Sequence, residues 1–270
     1  MFDKPRISVI TIAKCPILDV ERTVHSVVNY LSTIDYEHVL ILHESMKSRE
    51  VRESFRGSRQ RLYFVNDSGI YDAMNRGIAM AKGDFLWFLN AGDSATPSSP
   101  RLTKIAGCRA HDDDTIISGY TINTDLNDFV IGRWPPLDEV PDLRSANVIP
   151  HQGTIIPSKL FASYGLYDSA LRIHGDYEFW FRCLDKGVPF LRFDIPAARY
   201  RLGGLSSSQA GRSVARREHA QILLRYNIIN SVGYTILRGL SKSDTMYHLA
   251  INSFLSSAGK VRNPWPTASA

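Results

Sequence analysis

The stretch Val65–Asp93, VNDSGIYDAMNRGIAMAKGDFLWFLNAGD, decides the fold. Turn residues at Asp67–Gly69 are followed by apolar residues at helical spacing, which predicts a helix over Ile70–Lys82. The continuous apolar run Phe85–Leu89 predicts a strand covered on both faces. A polar loop that ends at Asp93 follows this strand directly. Because α/β proteins bind ligands beyond the carboxyl ends of parallel strands, the stretch predicts a binding site there.

The polar positions of this stretch have more than one interpretation. Asp72, Asn75 and Arg76 are three or four residues apart on one helix face, so their side chains can meet. Gly83 stands where the helix would end in a left-handed turn. The carboxylate of Asp93 is well placed to hold a divalent cation against phosphate oxygens, but it can equally cap the next helix. Spacing alone leaves both roles open.

Strand and helix patterns alternate along the first hundred residues, and such alternation with short links predicts a mostly parallel sheet. The predicted strands are Ile7–Ile12, His38–Leu42, Leu62–Val65, Phe85–Leu89, Thr115–Gly119 and Phe129–Ile131. The predicted helices are Val20–Leu31 with Asp19 as its cap, Ile70–Lys82, one near Leu102, Ser158–Ser163 and Asp176–Lys186. The segment Trp134–Val148 is rich in proline and charge, which predicts an irregular loop.

Composition limits the class of protein. The chain has 270 residues, of which 44% are hydrophobic and 22% charged, as in soluble α/β domains. No apolar run approaches the roughly 20 residues that span a bilayer. The start, with Asp3 and Lys4 before the first strand, has no signal-peptide pattern. The three cysteines, an odd number far apart, indicate reduced thiols in a cytoplasmic protein rather than disulfides or a zinc site.

Charge is concentrated at the end of the chain. Residues 199–270 contain ten Lys or Arg and two acidic residues. Apolar residues recur among them at roughly helical spacing, at Ile222, Tyr226, Ile229, Val232, Ile236 and Leu240. Such a segment can lie on an anionic membrane or can be a helix packed on the domain with solvated arginines. Nucleic acid explains the charge less well, because no recognition motif accompanies it. We expect a catalytic domain over 1–210, a basic helical extension over 211–262 and a disordered tail over 263–270.

The segment Ser68–Asp93 resembles the central block of family 2 glycosyltransferases with the GT-A fold, and more narrowly their bacterial colanic-acid and exopolysaccharide branch. Further blocks that resemble the family are Ile7–Ile12, His151–Thr154, Tyr164–Asp168, Gly175–Arg182 and Arg201–Ser206. Together they cover about residues 5–210 in order. The resemblance implies an α/β fold of GT-A, Rossmann-like type, with a mostly parallel sheet flanked by helices and a C-terminal helical tail.

The same resemblance implies an activity. The expected reaction moves a sugar, with inversion, from a nucleotide-diphosphate sugar to a hydroxyl of a saccharide acceptor. That acceptor is expected to be linked to polyprenyl diphosphate, in surface polysaccharide synthesis. The expected location is the cytoplasm, with peripheral binding to the inner face of the cell membrane. Nucleic acid is not an expected partner.

Asp176 matches the family's catalytic base. It opens a predicted helix, where the dipole favours a carboxylate, and its apolar neighbours should raise its pKa toward that of a proton acceptor. The alternative is a helix cap, with Glu178 as the nearest substitute base. The other expected acceptor-side residues are His151, Gln152, His174 and Glu178. A lone histidine is more often structural than functional.

Asp93 matches the direct metal ligand of the family's DxD motif, and Mg²⁺ or Mn²⁺ is the expected cofactor. The other acids of that motif are replaced by Asn90 and Gly92, and the late histidine ligand is missing from Arg201–Gly204. The cation would then depend on Asp93, the diphosphate and water. A metal-independent enzyme remains a possibility at this point.

The donor side departs further from the family. Glu44 is the expected substitute for an aspartate at the end of the second strand, where Leu42 stands instead. The full set of expected donor contacts is Thr11, Glu44, Asp67, Asp72, Asn75, Arg76 and Asn90. Two other functions stay open: a non-catalytic nucleotide-sugar-binding relative, suggested by Gly92 and Leu42, and a sugar nucleotidyltransferase. The second is disfavoured because Ala13–Pro16 is not a glycine-rich basic loop.

Overall fold

The computed structural model describes residues 6–55, 60–108, 114–135 and 142–257. Its strands are β1 (Ile7–Ala13), β2 (Tyr36–His43), β3 (Gln60–Val65), β4 (Phe85–Phe88), β5 (Ser94–Ala95), β6 (Ile116–Thr124), β7 (Val130–Trp134), β8 (Thr154–Pro157) and β9 (Phe190–Arg201). Its helices are α1 (Ile17–Tyr30), α2 (Arg49–Ser54), α3 (Ile70–Met80), α4 (Ser99–Cys108), α5 (Ser158–Tyr164), α6 (Gly175–Asp185), α7 (Gln209–Arg225), α8 (Ser231–Leu240) and α9 (Asp244–Ser257). The predicted tail 263–270 lies outside the described residues, as does 136–141 within the predicted irregular loop.

All the described strands form one mixed sheet in the order β3-β2-β1-β4-β8-β6-β9-β5, with β7 paired to β6. The first four strands in this order are parallel, as the strand–helix alternation predicts. β8 reverses the direction, because it is antiparallel to both of its neighbours, β4 and β6. β9 is parallel to β6. The carboxyl ends of β1, β3, β4 and β9 and the amino end of β8 therefore meet at one edge of the sheet.

Helices cover both faces of the sheet. On one face, Ile10 and Phe88 pack against α3, α5 and α6. On the other face, Val9 and Trp87 pack against α1 and α4. Alternate residues of the same strand thus enter two different cores, and this is why β1 and β4 are buried at every position.

The C-terminal helices belong to the first of these cores. Their buried residues pack in the same cluster as α3 and α6, and they are Ala220, Ile222, Leu223, Ile229, Leu237, Tyr247 and Ile251. The expected domain boundary at residue 210 falls inside α7. One face of the basic segment is therefore packed on the domain, as the packed-helix interpretation predicts for that face. Within the described residues, no helix has the length and apolar character needed to cross a membrane.

Two local predictions need correction. Gly83 is not a left-handed helix cap, because α3 ends at Met80. A Cβ atom at Gly83 would lie 2.5 Å from the backbone nitrogen of Ser8, so glycine is needed there for the close approach of β1. Helix α1 begins at Ile17, before the predicted start, and Asp19 lies in its first turn instead of capping it.

Candidate active site

A cavity of about 520 Å³ opens at the sheet edge where these strand ends meet. Seven chain segments line it: Ile12–Cys15 at the end of β1 and after it, Asp67–Tyr71 with Ala73 before and in α3, Asn90–Asp93 after β4, His151–Gln152 before β8, Arg172–Ile173 before α6, Tyr200–Arg201 in β9, and Gly204 with Ser206 after β9. Such a volume is typical of small-molecule sites. The predicted site at this edge is therefore a real concavity.

The Asp176 carboxylate lies in the first turn of α6 and is fully hydrogen-bonded. Its Oδ1 accepts from the Tyr177 amide at 2.8 Å and from the Tyr71 hydroxyl at 2.9 Å. Its Oδ2 lies 3.2 Å from Asn147 Nδ2 and 3.2 Å from His151 Nδ1. The side chain of Asp176 is 4% exposed, so these partners replace most of its water.

The predicted rise in the pKa of Asp176 is wrong in direction. Burial raises the pKa, but the hydrogen bond from His151, together with the effects of His174 and the Tyr177 amide, outweighs it and holds the pKa below its usual value. The sequence showed the apolar neighbours on α6. It did not show that His151, from another segment, contacts the carboxylate.

His151 connects Asp176 to the cavity. Its Nδ1 faces Asp176, and its Nε2 lies 3.2 Å from the amide nitrogen of Asn90. In this arrangement Asn90 donates to Nε2 and His151 donates from Nδ1, as a neutral imidazole does. His151 lines the cavity, whereas Asp176 lies behind it. A polar chain therefore runs from Asn90 through His151 and Asp176 to Tyr71.

Asp93 is the second buried carboxylate of the site. Gly92 has a φ of +95° and makes the turn that presents it, and its Oδ1 accepts from the Arg201 amide at 3.1 Å. Burial raises the pKa of Asp93 to about 7, and the Arg201 amide, His151 and Gln152 offset only part of that effect. Asp93 does not cap α4, which begins only at Ser99.

The residues around Asp93 fit a divalent cation only in part. The Oδ1 atom of Asn90 is buried without a hydrogen-bond partner among the described residues, and the carboxylate of Asp93 lies close by in the same loop. Carboxylate and amide oxygens are ligands that Mg²⁺ and Mn²⁺ accept. However, no group of three or more His, Cys, Asp or Glu side chains able to hold a metal exists in the described part of the chain. A cation here would need further oxygens from a bound diphosphate or water.

Five of the predicted site residues line the cavity: Asp67, Asn90, Asp93, His151 and Gln152. Two predicted donor contacts do not. Thr11 is fully buried in β1, where its hydroxyl donates to the Leu89 carbonyl at 2.7 Å. Glu44 lies in a one-turn 3-10 helix outside the cavity and pairs with Lys47 at 2.6 Å. The nucleobase contact by Glu44 stays a prediction, made for a side chain that lies outside the cavity.

Three predicted residues on α3 also have their side chains engaged elsewhere. Asp72 accepts from the Ser68 amide at 2.9 Å and pairs with Arg76 at 3.5 Å, which stabilises the start of the helix. Asn75 donates to the Tyr167 carbonyl at 2.9 Å and accepts from the Tyr167 amide at 3.0 Å. These contacts hold α3 in place, and none of the three side chains lines the cavity.

The predicted acceptor contacts His174 and Glu178 are packed inside the fold. Burial lowers the pKa of His174, whose ring packs 5.2 Å from the ring of Tyr177. Glu178 pairs with Arg182 at 2.5 Å and with Arg225 at 3.4 Å, and so joins α6 to α7. Neither residue lines the cavity, and direct contact of either with the acceptor stays a prediction.

Sequence reasoning missed several residues that the fold brings to the site. Lys14, Arg172 and Tyr200 line the cavity, and Tyr71 and Asn147 hold Asp176. No local pattern marks them. They come together only because β8 and β9, which were not predicted, complete the sheet.

Comparisons with known proteins agree with this geometry. The family model "Glycosyl transferase family 2" matches residues 8–141. An uncharacterized glycosyltransferase of Mycobacterium tuberculosis is 32% identical over 194 residues, which cover 67% of this chain and 70% of the relative. A PGL/p-HBAD biosynthesis glycosyltransferase of Mycobacterium bovis is 29% identical over 163 residues, or 60% of this chain and 62% of the relative, so less than two thirds of that protein is spanned.

Solved structures extend the likeness to the whole fold. The crystal structure of Staphylococcus aureus TarS residues 1–349 in complex with UDP-GlcNAc has a TM-score of 0.59 at 14% identity, covering 94% of this chain and 82% of that one. The same TarS segment in complex with UDP gives 0.54 at 14% identity, covering 93% of this chain and 92% of that one. With this fold, these relatives and the family match, the chain belongs to glycosyl transferase family 2.

Proposed function

We propose that this protein is an inverting glycosyltransferase that moves a sugar from a nucleoside-diphosphate sugar to a hydroxyl of a saccharide acceptor. The observation that carries the proposal is the pair of buried carboxylates at one cavity: Asp93 in its wall, and Asp176 behind it, bonded to the cavity-lining His151. The carboxylate of Asp93 is suited to bind a cation, and the carboxylate of Asp176 is suited to proton transfer. A transferase of this kind needs both, because its leaving group is an anion and its nucleophile is a hydroxyl.

The proton is taken by the His151–Asp176 pair. His151 presents Nε2 toward Asn90 and the cavity, and the acceptor hydroxyl takes the place of the Asn90 amide as the donor to Nε2 before its proton moves. Asp176 holds the Nδ1 proton and stabilises the imidazolium that forms. The acceptor oxygen then bonds to the anomeric carbon as the bond from that carbon to the diphosphate breaks on the opposite face. This displacement inverts the carbon and needs no covalent enzyme intermediate.

Asp93 and the amide oxygen of Asn90 are the residues that would hold Mg²⁺ or Mn²⁺. When bound there, the cation neutralises the negative charge of the leaving diphosphate. Asp67, which lies beside the start of α3 in the cavity wall, is the proposed contact to the nucleotide. The UDP-GlcNAc complex of TarS supports a nucleotide sugar as donor, since the two folds correspond along most of their length.

The proton-accepting pair is tested by substitution. Asp176→Asn and His151→Gln should each lower transfer by roughly 10² to 10⁴ while nucleotide binding stays, and the double variant should lose little more. Asp185→Asn, on the same helix but exposed, is the matched control. Transfer close to wild type in Asp176→Asn would exclude this base. A wild-type protein that binds nucleotide sugars but transfers nothing to any acceptor would favour a non-catalytic relative instead.

We further propose that the acceptor is lipid-linked, in surface polysaccharide synthesis, and that the protein binds the inner face of the cell membrane from the cytoplasm through α8 and α9. The two helices expose Val232, Ile236, Met246 and Leu249, with Arg238 and Lys242 beside them. Apolar side chains among positive charges bind anionic lipid surfaces. The exposed side chains of α8 and α9 support a membrane role. The buried side chains of the same helices pack in the core and do not bear on that role.

Vesicle flotation tests the membrane proposal. At low salt the protein should float with phosphatidylglycerol vesicles and release as salt rises, because each surface cation contributes about 1 kcal/mol within a Debye length. Val232→Ser/Ile236→Ser should weaken flotation. Phe129→Ser/Ile131→Ser, which removes similarly exposed apolar residues just before and in β7, should not. Intact protein that stays at the bottom of the gradient at low salt would contradict membrane binding.

A further inference from the structure

The loop that precedes α6 is held by a carboxylate from α7. Glu218 is 8% exposed, and its Oε1 accepts from the Arg172 amide at 2.7 Å. Its Oε2 accepts from the amides of Ile173 and His174, both at 2.9 Å. Helix α6 has His174 as its N-cap but no side-chain cap of its own. Glu218 therefore supplies, from another helix, the acceptor that the start of α6 lacks.

The same loop borders the base and the cavity. The Tyr71 hydroxyl lies 2.5 Å from the Ile173 carbonyl oxygen and 2.9 Å from Asp176 Oδ1. Arg172 and Ile173 both line the cavity. Glu218 thus holds the backbone of the loop that carries Arg172 into the cavity wall. The same loop contacts Tyr71, which donates to the Asp176 carboxylate.

Arg172 brings an unused positive charge to the cavity. Its side chain is exposed and makes no hydrogen bond or ion pair with any residue that the structure describes. Arg201, which also lines the cavity, is already bound to Asp19 at 3.0 Å and to the Leu126 carbonyl at 2.6 Å. Lys14 also lines the cavity and makes no ion pair with any residue that the structure describes. A planar guanidinium binds phosphate oxygens through paired, charge-assisted hydrogen bonds.

We propose that Arg172 binds a phosphate group of the substrates and that Glu218, on α7, is the residue that positions it. The inference rests on the proposed function, because that reaction brings phosphate to this cavity. The phosphate belongs either to the nucleoside-diphosphate donor or to the diphosphate of a lipid-linked acceptor. Both present the same chemistry to a guanidinium, and separate binding measurements distinguish them.

Calorimetry on the full chain provides the test, with UDP, GDP and dTDP as donor probes and farnesyl diphosphate as the acceptor probe. Arg172→Gln should weaken binding of one probe class by roughly 10- to 100-fold, the effect expected from losing hydrogen bonds to a charged group. A loss confined to nucleoside diphosphates assigns Arg172 to the donor, and a loss confined to farnesyl diphosphate assigns it to the acceptor. Arg217→Gln, an exposed arginine on α7 outside the cavity, is the matched control.

The positioning role has its own signature. Glu218→Gln should weaken the same probe as Arg172→Gln, and the double variant should bind no more weakly than the weaker single variant. Asp244→Asn, the exposed acid on α9, should leave binding unchanged. Additive losses, or unchanged affinity in Glu218→Gln, would overturn the positioning role.

Two outcomes separate this inference from the proposed function. Wild-type protein that binds none of the probes would overturn both, whereas wild-type binding that Arg172→Gln leaves intact would overturn only the role of Arg172. If Glu218→Gln does not fold, hydrogen exchange of the wild type decides the contact. The amides of Arg172, Ile173 and His174 should then exchange slowly, and exchange at the rate of an unprotected loop would contradict the contact.

Discussion

Asp93 illustrates at the scale of one residue how a binding group can work against stability. Its carboxylate is 4% exposed and has a pKa of about 7, well above that of an aspartate in an unfolded chain. Between pH 4 and pH 7 the folded protein keeps a proton that the unfolded chain has released. This contribution to stability is therefore fully present at low pH and is lost as pH rises toward 7.

Replacing this carboxylate should stabilise the metal-free protein. In EDTA at pH 8, Asp93→Asn should unfold at a higher urea concentration than wild type, and its free energy of unfolding should be larger by on the order of 1 to 4 kcal/mol. This difference should shrink at pH 5. Adding Mn²⁺ and a nucleoside diphosphate should favour wild type again, because only its carboxylate gains a ligand. Asp194→Asn, an exposed acid outside the site, is the control. A variant less stable than wild type at pH 8 in EDTA would contradict the buried charge.

At the scale of single residues, the sequence predicted which residues lie at the cavity better than it predicted their contacts and pKa values. Asn90 and Asp93 could be placed in the cavity because they directly follow a strand that is apolar at every position. The lowered pKa of Asp176 could not be predicted, because it arises from His151, twenty-five positions away in the chain. The burial of Thr11 could not be predicted for a related reason. The pattern of β1 does not show whether the Thr11 hydroxyl points into the cavity or is buried inside the fold.

At the scale of elements, the packing of α6 on α3 depends on a glycine. A Cβ atom at Gly175 would lie 2.7 Å from ring carbons of Tyr71, which is fully packed and bonded to Asp176. The first turn of α6 can approach α3 only because position 175 has no side chain. This contact fixes the distance between the base and the ring that supports it.

Gly175→Ala should therefore disturb both stability and catalysis. Overpacking of this kind costs roughly 1 to 3 kcal/mol, and displacement of Tyr71 should lower kcat more than it raises the donor KM. Urea unfolding and steady-state kinetics measure the two effects. Gly239→Ala on α8, where a Cβ would meet open space, should be neutral or slightly stabilising. Equal stability of the two variants would show that Tyr71 can move without penalty.

Strands and helices were predicted correctly where the apolar residues of a segment follow a single pattern. β1, β2, β4 and α3 follow from apolar patterns that are complete within each segment. β8 has only four residues, and β9, FLRFDIPAARYR, contains three arginines and a proline. Its strand form depends on the long register with β6, which is a property of the neighbour rather than of the segment.

At the scale of the whole molecule, α7 to α9 complete the core. They contribute buried side chains to the cluster that contains α3 and α6, and Glu218 reaches the loop before the base. Composition predicted helices in this region and left two roles for them. The tertiary contacts that show the packed face connect α7 to α9 with α3 and α6, and no local pattern records them.

A chain that stops at Gly211 should therefore fail to fold cooperatively. It would lack the buried residues of α7 to α9 and would expose the apolar surface that they cover, at about 25 cal/mol for each Å². Thermal unfolding followed by circular dichroism, with size-exclusion chromatography, measures the result. A chain that stops at Ser257, after α9, keeps these contacts and is the control. A sharp transition in the shorter chain would mean that 1–211 folds as an independent unit.

The reversal of chain direction at β8 has an evolutionary consequence. Segments after β1, β3 and β4 supply the cavity wall with Asp67 and Asp93, whereas segments before β8 and α6 supply His151 and Arg172. The family model ends at residue 141, between these two groups of segments. Sequence changes in the later group can alter one wall of the cavity while the earlier strands keep their register. Such a protein can change the residues of one cavity wall without having to rebuild the strands that carry the other wall.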